Sequence, residues 1–144
     1  PALRTSSEVD VSPKAHPERV DASDGALGEL SAFHSAFGFY VHGVPIETAT
    51  LPAGWKRRVV VVSNRNTRMK AGLCLEVHDL AASKLAAFRE KDRDFVRVLL
   101  AERLVKKQRL IERLRALDLP ESRVNRLVKW VEVTYRDLRE GESD

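Results

Sequence analysis

The sequence predicts an α+β protein, with a small mixed sheet at the N-terminal end and a helical bundle after it. Three observations carry this prediction. Short β-branched and aromatic runs bounded by Pro or Gly are confined to residues 1–77. Beyond them, apolar residues recur at spacings of three and four. Charge divides the chain in the same sense: residues 1–54 sum to −4 and residues 55–144 to +8, within a net charge of +4 over 144 residues. The expected organisation is an α/β core over 1–77 and a helical region over 78–144, packed together as one domain.

The elements follow in order. Residues 7–11 alternate polar and β-branched side chains and read as a strand stopped by Pro13. Residues 12–24, rich in Pro, Asp and Ser, read as a loop. A helix is expected from Asp24, carrying Leu27, Leu30, Phe33 and Phe37 on one face and ending at Gly38. Residues 39–41 read as a strand and 44–54 as irregular. The run Arg58-Val59-Val60-Val61-Val62 predicts a strand buried on both faces. After a polar, basic turn over 64–70, residues 73–77 return as its hairpin partner, with Cys74 as a small core residue.

Four helices are then expected. The first is capped by Asp79 and buries Leu80, Leu85 and Phe88. The second starts near Asp92 and carries Phe95, Val98, Leu99 and Leu104; the third carries Leu110, Ile111, Leu114 and Leu117. The fourth begins at Pro120 and repeats Val124, Leu127, Val128, Val131 and Leu138, with 140–144 as a frayed tail.

Composition excludes several classes. With 43% hydrophobic and 32% charged residues the chain can bury a core, so wholesale disorder is not expected. No apolar run approaches the ~20 residues of a membrane span, and the first residues lack the basic-then-apolar pattern of a secretory leader. The cytoplasm is therefore the expected compartment and no membrane partner is expected. A single cysteine rules out an internal disulfide and a cysteine-based zinc site. The basic half suits a polyanion such as RNA or a nucleotide, although basic helix faces are often simply solvated. Residues 55–70 concentrate this signal, with six basic residues and no acidic one.

Few residues offer chemistry. Glu8-Val9-Asp10 places two carboxylates two apart on a strand, hence on one face. Two converging carboxylates can hold a hard cation such as Mg²⁺, which takes oxygen ligands and keeps several waters. A solvated strand edge carries the same triplet. Lys84 lies one turn from both Leu80 and Phe88, at the margin of an apolar face, where an ammonium can serve a triphosphate or merely snorkel. Asp92 would share that side if the helix continued, or it could cap a new one. His16, His34, His42 and His78 do not cluster in sequence and show no zinc-helix spacing, so each is read as structural. No phosphate-binding loop or dinucleotide fingerprint is present.

Two ordered segments resemble a known family. Arg4-Thr5-Ser6-Ser7-Glu8-Val9-Asp10 is similar to the Arg-x-Ser/Thr-x-acid-x-Asp strand of the nucleotidyltransferase-like proteins of the abortive-infection and MenT-type toxin group. Asp79-Leu80-Ala81-Ala82-Ser83-Lys84-Leu85, followed by Arg89-Glu90-Lys91-Asp92, resembles that group's Lys-Leu helix with its Arg and Asp. Gly-Phe-Tyr-Val at 38–41 and Leu-Pro-Ala-Gly-Trp at 51–55 resemble a smaller bacterial branch. The resemblance covers residues 4–115. It implies a polymerase-β-like nucleotidyltransferase core followed by the helical bundle. It further implies Glu8 and Asp10 as catalytic metal ligands for Mg²⁺, Lys84 as the phosphate contact, Arg89 as a further nucleotide contact and Asp92 as an additional active-site acid. The group's Gly-Ser turn would lie ahead of Pro1.

The function so implied is Mg²⁺-dependent transfer of a nucleoside monophosphate from an NTP onto RNA, tRNA included, or onto a protein hydroxyl. The protein would be the toxin of a toxin–antitoxin pair, with a cognate antitoxin as partner. Lys84 would then be expected near the strand that carries Glu8 and Asp10. The alternative is a non-catalytic member that uses the basic hairpin and helices to hold nucleic acid or a protein.

Overall fold

The computed structural model describes residues 6–141. Arg4 and Thr5 of the family-like segment, and the tail from residue 142 on, lie outside the described residues. The fold is mixed α/β, with six α-helices and two small sheets among the described residues. Its contacts divide the chain into two compact units, Pro1–Ala49 and Thr50–Asp144.

The first unit holds β1 (Glu8–Val11), α1 (Val20–Leu27), α2 (Ala32–Phe37) and β2 (Tyr40–Gly43). β1 and β2 pair in parallel, with Glu8 beside Tyr40 and Asp10 beside His42. A parallel pair cannot be closed by a tight turn, and α1 and α2 form the crossover. The loop predicted over 12–24 is partly helical: Pro17 opens a 3-10 turn, Pro17–Arg19, that runs straight into α1. Proline's fixed φ suits a first helical position, so it starts a helix here instead of prolonging a loop.

The single helix predicted from Asp24 to Gly38 is two. Gly28 closes α1, its N–H donating to the Asp24 carbonyl at 2.8 Å. A Cβ at Gly28 would stand 2.2 Å from that carbonyl oxygen, so the chain can pass there only as glycine. Leu30 then turns left-handed (φ 65), and Ser31 caps α2 by accepting the His34 N–H at 3.1 Å. Gly38 ends α2 in the left-handed conformation, as predicted (φ 75).

The second unit begins with a hairpin of β3 (Val60–Val62) and β4 (Gly72–Cys74), paired antiparallel. The four predicted helices follow as α3 (Val77–Ala87), α4 (Glu90–Ala101), α5 (Lys107–Arg115) and α6 (Glu121–Gly141). α3 packs on α4 and α5, and α6 on α4 and α5. The buried apolar core runs from Ala81 to Val131 and matches the predicted helix faces: Leu85, Leu99, Leu110, Ile111, Leu114, Leu117, Val124, Leu127, Val128 and Val131 are all buried.

Four expectations fail in this unit. Leu104, predicted on the buried face of the second helix, lies past the end of α4 at Ala101 and is 48% exposed. Val60, Val61 and Val62 are 51%, 60% and 41% exposed, where burial on both faces was predicted. The strands form two separate two-stranded sheets and not one mixed sheet, so the valines have β4 alone beside them, too little to bury both faces. Cys74, predicted as a core residue, is exposed for the same reason. Asp79 does not cap α3. Glu76 does, its carboxylate accepting the N–H groups of His78 (3.1 Å) and Asp79 (3.3 Å). Asp79 is instead fully buried and accepts two hydrogen bonds from Arg58, at 2.8 and 2.9 Å.

Candidate functional site

In the first unit the parallel register brings alternate residues of two strands to one face. Glu8 and Asp10 from β1 and His42 from β2 offer ligand atoms that all lie within 4.8 Å of one another. His42 Nδ1 is 3.5 Å from Glu8 Oε1 and 3.6 Å from Asp10 Oδ1. Tyr40 donates its hydroxyl to Glu8 Oε2 at 3.2 Å. Partial burial first, then the charge and hydrogen bond of Glu8 and the charges of Glu29 and Asp10, raise the Tyr40 phenol above its ordinary range. The phenol therefore stays a donor.

Behind His42 stands Asp24 of α1. Its Oδ1 accepts the Gly43 N–H at 2.9 Å and its Oδ2 lies 3.9 Å from His42 Nε2. β2 reaches α1 this closely because residue 43 is glycine: a Cβ there would meet the Val20 carbonyl oxygen at 2.3 Å. Glu8, Asp24, Gly28, Glu29, Tyr40 and His42 line an open cleft of about 360 Å³. Three carboxylates and an imidazole around one cleft are an electronegative site suited to a cation. The two carboxylates on β1 fit a hard divalent ion that retains waters.

The structure thus brings Glu8 and Asp10 to the same side of one strand, and it adds partners that were not predicted. His42 was read as structural, and Asp24 and Tyr40 were given no role. The signal that could have found them is the strand pairing of 39–41 with 7–11. Its register cannot be read from either strand alone.

Lys84, Arg89 and Asp92 belong to the second unit. Lys84 sits on α3 between buried Ala81 and Leu85, half-buried itself, and makes no ion pair among the described residues. Asp92 is buried at the start of α4. It accepts from Arg89 Nε at 2.7 Å, from Arg89 Nη2 at 3.2 Å and from the Arg89 backbone N–H at 3.2 Å. The structure therefore brings Arg89 and Asp92 together: the carboxylate starts the helix and fixes the guanidinium, which is 56% exposed.

A second polar cluster lies beneath the hairpin. Arg58, which also donates to the Ala53 carbonyl at 2.9 Å, joins Arg113 in flanking the Asp79 carboxylate; Arg113 Nε is 3.1 Å from Asp79 Oδ1 but is not aligned for a hydrogen bond. Next to it His78 is buried, with Nε2 accepting the Lys106 N–H at 3.0 Å, so its proton sits on Nδ1, toward Glu76. Burial pushes the Glu76 carboxyl up, but the His78 ring and the N–H groups of Asp79 and His78 outweigh it and hold the carboxyl below its ordinary range. Apart from the Arg113 Nε–H, which lacks a hydrogen-bond acceptor, these groups are engaged with one another, as structural polar networks are.

No family model matches this chain, and no curated protein and no solved structure is significantly similar to it. No helix among the described residues is long and apolar enough to cross a membrane.

Proposed function

We propose that this protein is a divalent-cation-dependent nucleotidyltransferase with a polymerase-β-like core, transferring a nucleoside monophosphate from an NTP to an RNA end, tRNA included, or to a protein hydroxyl. The convergence of Glu8 and Asp10 on one face of β1, where Glu8 also lines an acidic cleft, carries this reading. Mg²⁺ held there would bind the triphosphate and offset the charge that develops as the acceptor oxygen bonds to the α-phosphorus and pyrophosphate departs. Lys84, half-buried and without an ion pair among the described residues, suits a point-charge contact to phosphate. Arg89, oriented by Asp92, is the further nucleotide contact. By resemblance, the protein acts in the cell as the toxin of a toxin–antitoxin pair, with a cognate antitoxin as partner.

The test is incubation of the protein with each labelled NTP, Mg²⁺ and total RNA. Label is expected to move to RNA or to protein with one NTP. Transfer should vanish in the Glu8→Gln/Asp10→Asn double variant and drop at least tenfold in Lys84→Met, since one well-placed charge in a water-poor site is worth about 2–4 kcal/mol. Absence of transfer with every NTP overturns the reading.

A second reading, a non-catalytic binding module, is favoured by one observation. The hairpin presents exposed valines together with the exposed side chains of Arg57, Arg65, Arg68 and Lys70. RNA binding without label transfer would select it.

A further inference from the structure

We propose that the β3–β4 hairpin docks a partner protein by strand addition: an extended segment, acidic at both ends and β-branched between, pairs with the free edge of β3. The inference is independent of nucleotide transfer and narrows the hairpin's partner to a protein strand.

The edge is the first ground. β3 pairs with β4 alone, so its second edge carries N–H and C=O groups with no strand beside them among the described residues. Proteins blunt such edges with a charge, a proline or a bulge inside the strand, and Val59-Val60-Val61-Val62 has none of these. Apolar side chains also stand on both faces. Val61 and its cross-strand neighbour Leu73 are exposed on one face, and Val60, Val62 and Cys74 on the other. A helix laid on one face would leave the other bare, whereas an added strand extends both.

Anchoring is the second ground. A two-stranded ribbon without a packed face is marginal by itself. Here the base is tied down by Arg58, which donates to the buried Asp79 and to the Ala53 carbonyl. The tip is closed by a reciprocal cap: Asn64 Oδ1 accepts the Asn66 and Thr67 N–H groups at 2.9 and 3.2 Å, and Thr67 Oγ1 accepts the Asn64 N–H at 2.9 Å. The edge is set before a partner arrives, which lowers the ordering cost of binding.

Charge selects the occupant. Residues 55–70 hold six basic residues and no acidic one. Arg57 precedes β3, and Arg65, Arg68 and Lys70 follow it, all exposed. Cations at both ends of an apolar strand complement a segment that is acidic at both ends and apolar between. A hairpin from a second copy would set these cations against their like. RNA would neutralise them and leave Val60, Val61, Val62 and Leu73 in water. β4 is the poorer edge, because it contains Gly72 and runs toward Glu76, whose charge repels an acidic segment.

The experiment uses the full chain and labelled probes: the capped peptide Glu-Asp-Val-Ile-Val-Asp-Glu, its counterpart with lysine at every acid, the acidic peptide N-methylated at every apolar residue, and oligouridine. The acidic peptide is expected to bind at least about tenfold more tightly than either other peptide. It should also slow amide hydrogen exchange within Val60–Val62, followed by nuclear magnetic resonance. The variant Arg57→Glu/Arg65→Glu/Arg68→Glu/Lys70→Glu alters exposed side chains only and should keep its helices, as circular dichroism will check. It should prefer the lysine peptide to the acidic one. No binding of the acidic peptide, equal binding of its N-methylated form, or unchanged exchange in β3 overturns strand addition. Oligouridine that protects β3 where the peptide does not assigns the hairpin to RNA, and self-association lost in the charge variant assigns it to a second copy; either overturns the proposal. None of these outcomes touches the transfer reading, which the NTP assay tests.

Discussion

A carboxylate with no exposed surface, such as Asp79, is tolerable only because Arg58 grips it with two hydrogen bonds and Arg113 flanks it. The pair also holds the Arg58 guanidinium above its ordinary range, with the Asp79 hydrogen bond prevailing over burial. Removing the acid leaves two cations near the core without compensation. Asp79→Ala is therefore expected to cost about 3–5 kcal/mol, read from the denaturant midpoint, whereas a loss below 1 kcal/mol would place the pair among ordinary surface ion pairs. Glu76 makes a pH-dependent contribution. Its carboxyl is held below the ordinary range in the folded state, so the stability it adds is complete above the unfolded value of about 4.3 and is lost as pH falls through the lower folded value. Glu76→Gln should flatten the fall in stability below about pH 4.3. An unaltered acid limb in denaturation curves taken across that range would assign it to other carboxylates.

At the scale of elements, the β3–β4 hairpin is the part whose surface least resembles a core strand pair. Its valines are exposed, and its basic side chains are exposed as well, except Arg58, which is turned to Asp79. If the hairpin contacts RNA, neutralising Arg57, Arg65, Arg68 and Lys70 together should lower the log–log salt slope of binding by about one unit per lost phosphate contact. A slope that does not move would mean that these charges are only solvated. The helices behave differently because each has a buried face to satisfy. The α3 start is secured by Glu76 and the α4 start by Asp92, and these caps explain why the helix boundaries stand a few residues before the apolar periodicity begins.

For the whole molecule, buried apolar residues are concentrated in one unit. The core from Ala81 to Val131 lies entirely within Thr50–Asp144. That piece, expressed alone, is expected to unfold cooperatively, because four helices share one apolar interior. In residues 6–49 only Gly28 and Gly43 are buried, so 1–49 alone should show no cooperative transition; such short chains are hard to stabilise without a bound ion or other staple. Thermal melts of the two fragments, followed by circular dichroism, check this. A cooperative melt of 1–49 without added ions would show that packing in this unit is stronger than its burial suggests.

The sequence by itself determined the order of the strands and of the last four helices, the helical faces that make the core, the hairpin, and the one-sided placement of Glu8 and Asp10. All of these follow from local periodicities: 3.6 residues along a helix and two along a strand. It also singled out Lys84 at the edge of an apolar face. The tertiary structure decided what depends on distant partners. Whether Val60–Val62 is buried depends on the number of strands beside it and on what lies over it, and neither is written in the run itself. Asp79 fits a cap by spacing, but its partner Arg58 lies across a hairpin. His42 and Asp24 reach Glu8 and Asp10 only because a crossover sets β2 parallel to β1 in one register, and Gly43 lets that strand lie against α1. A shift of one residue would turn His42 to the other face of the sheet.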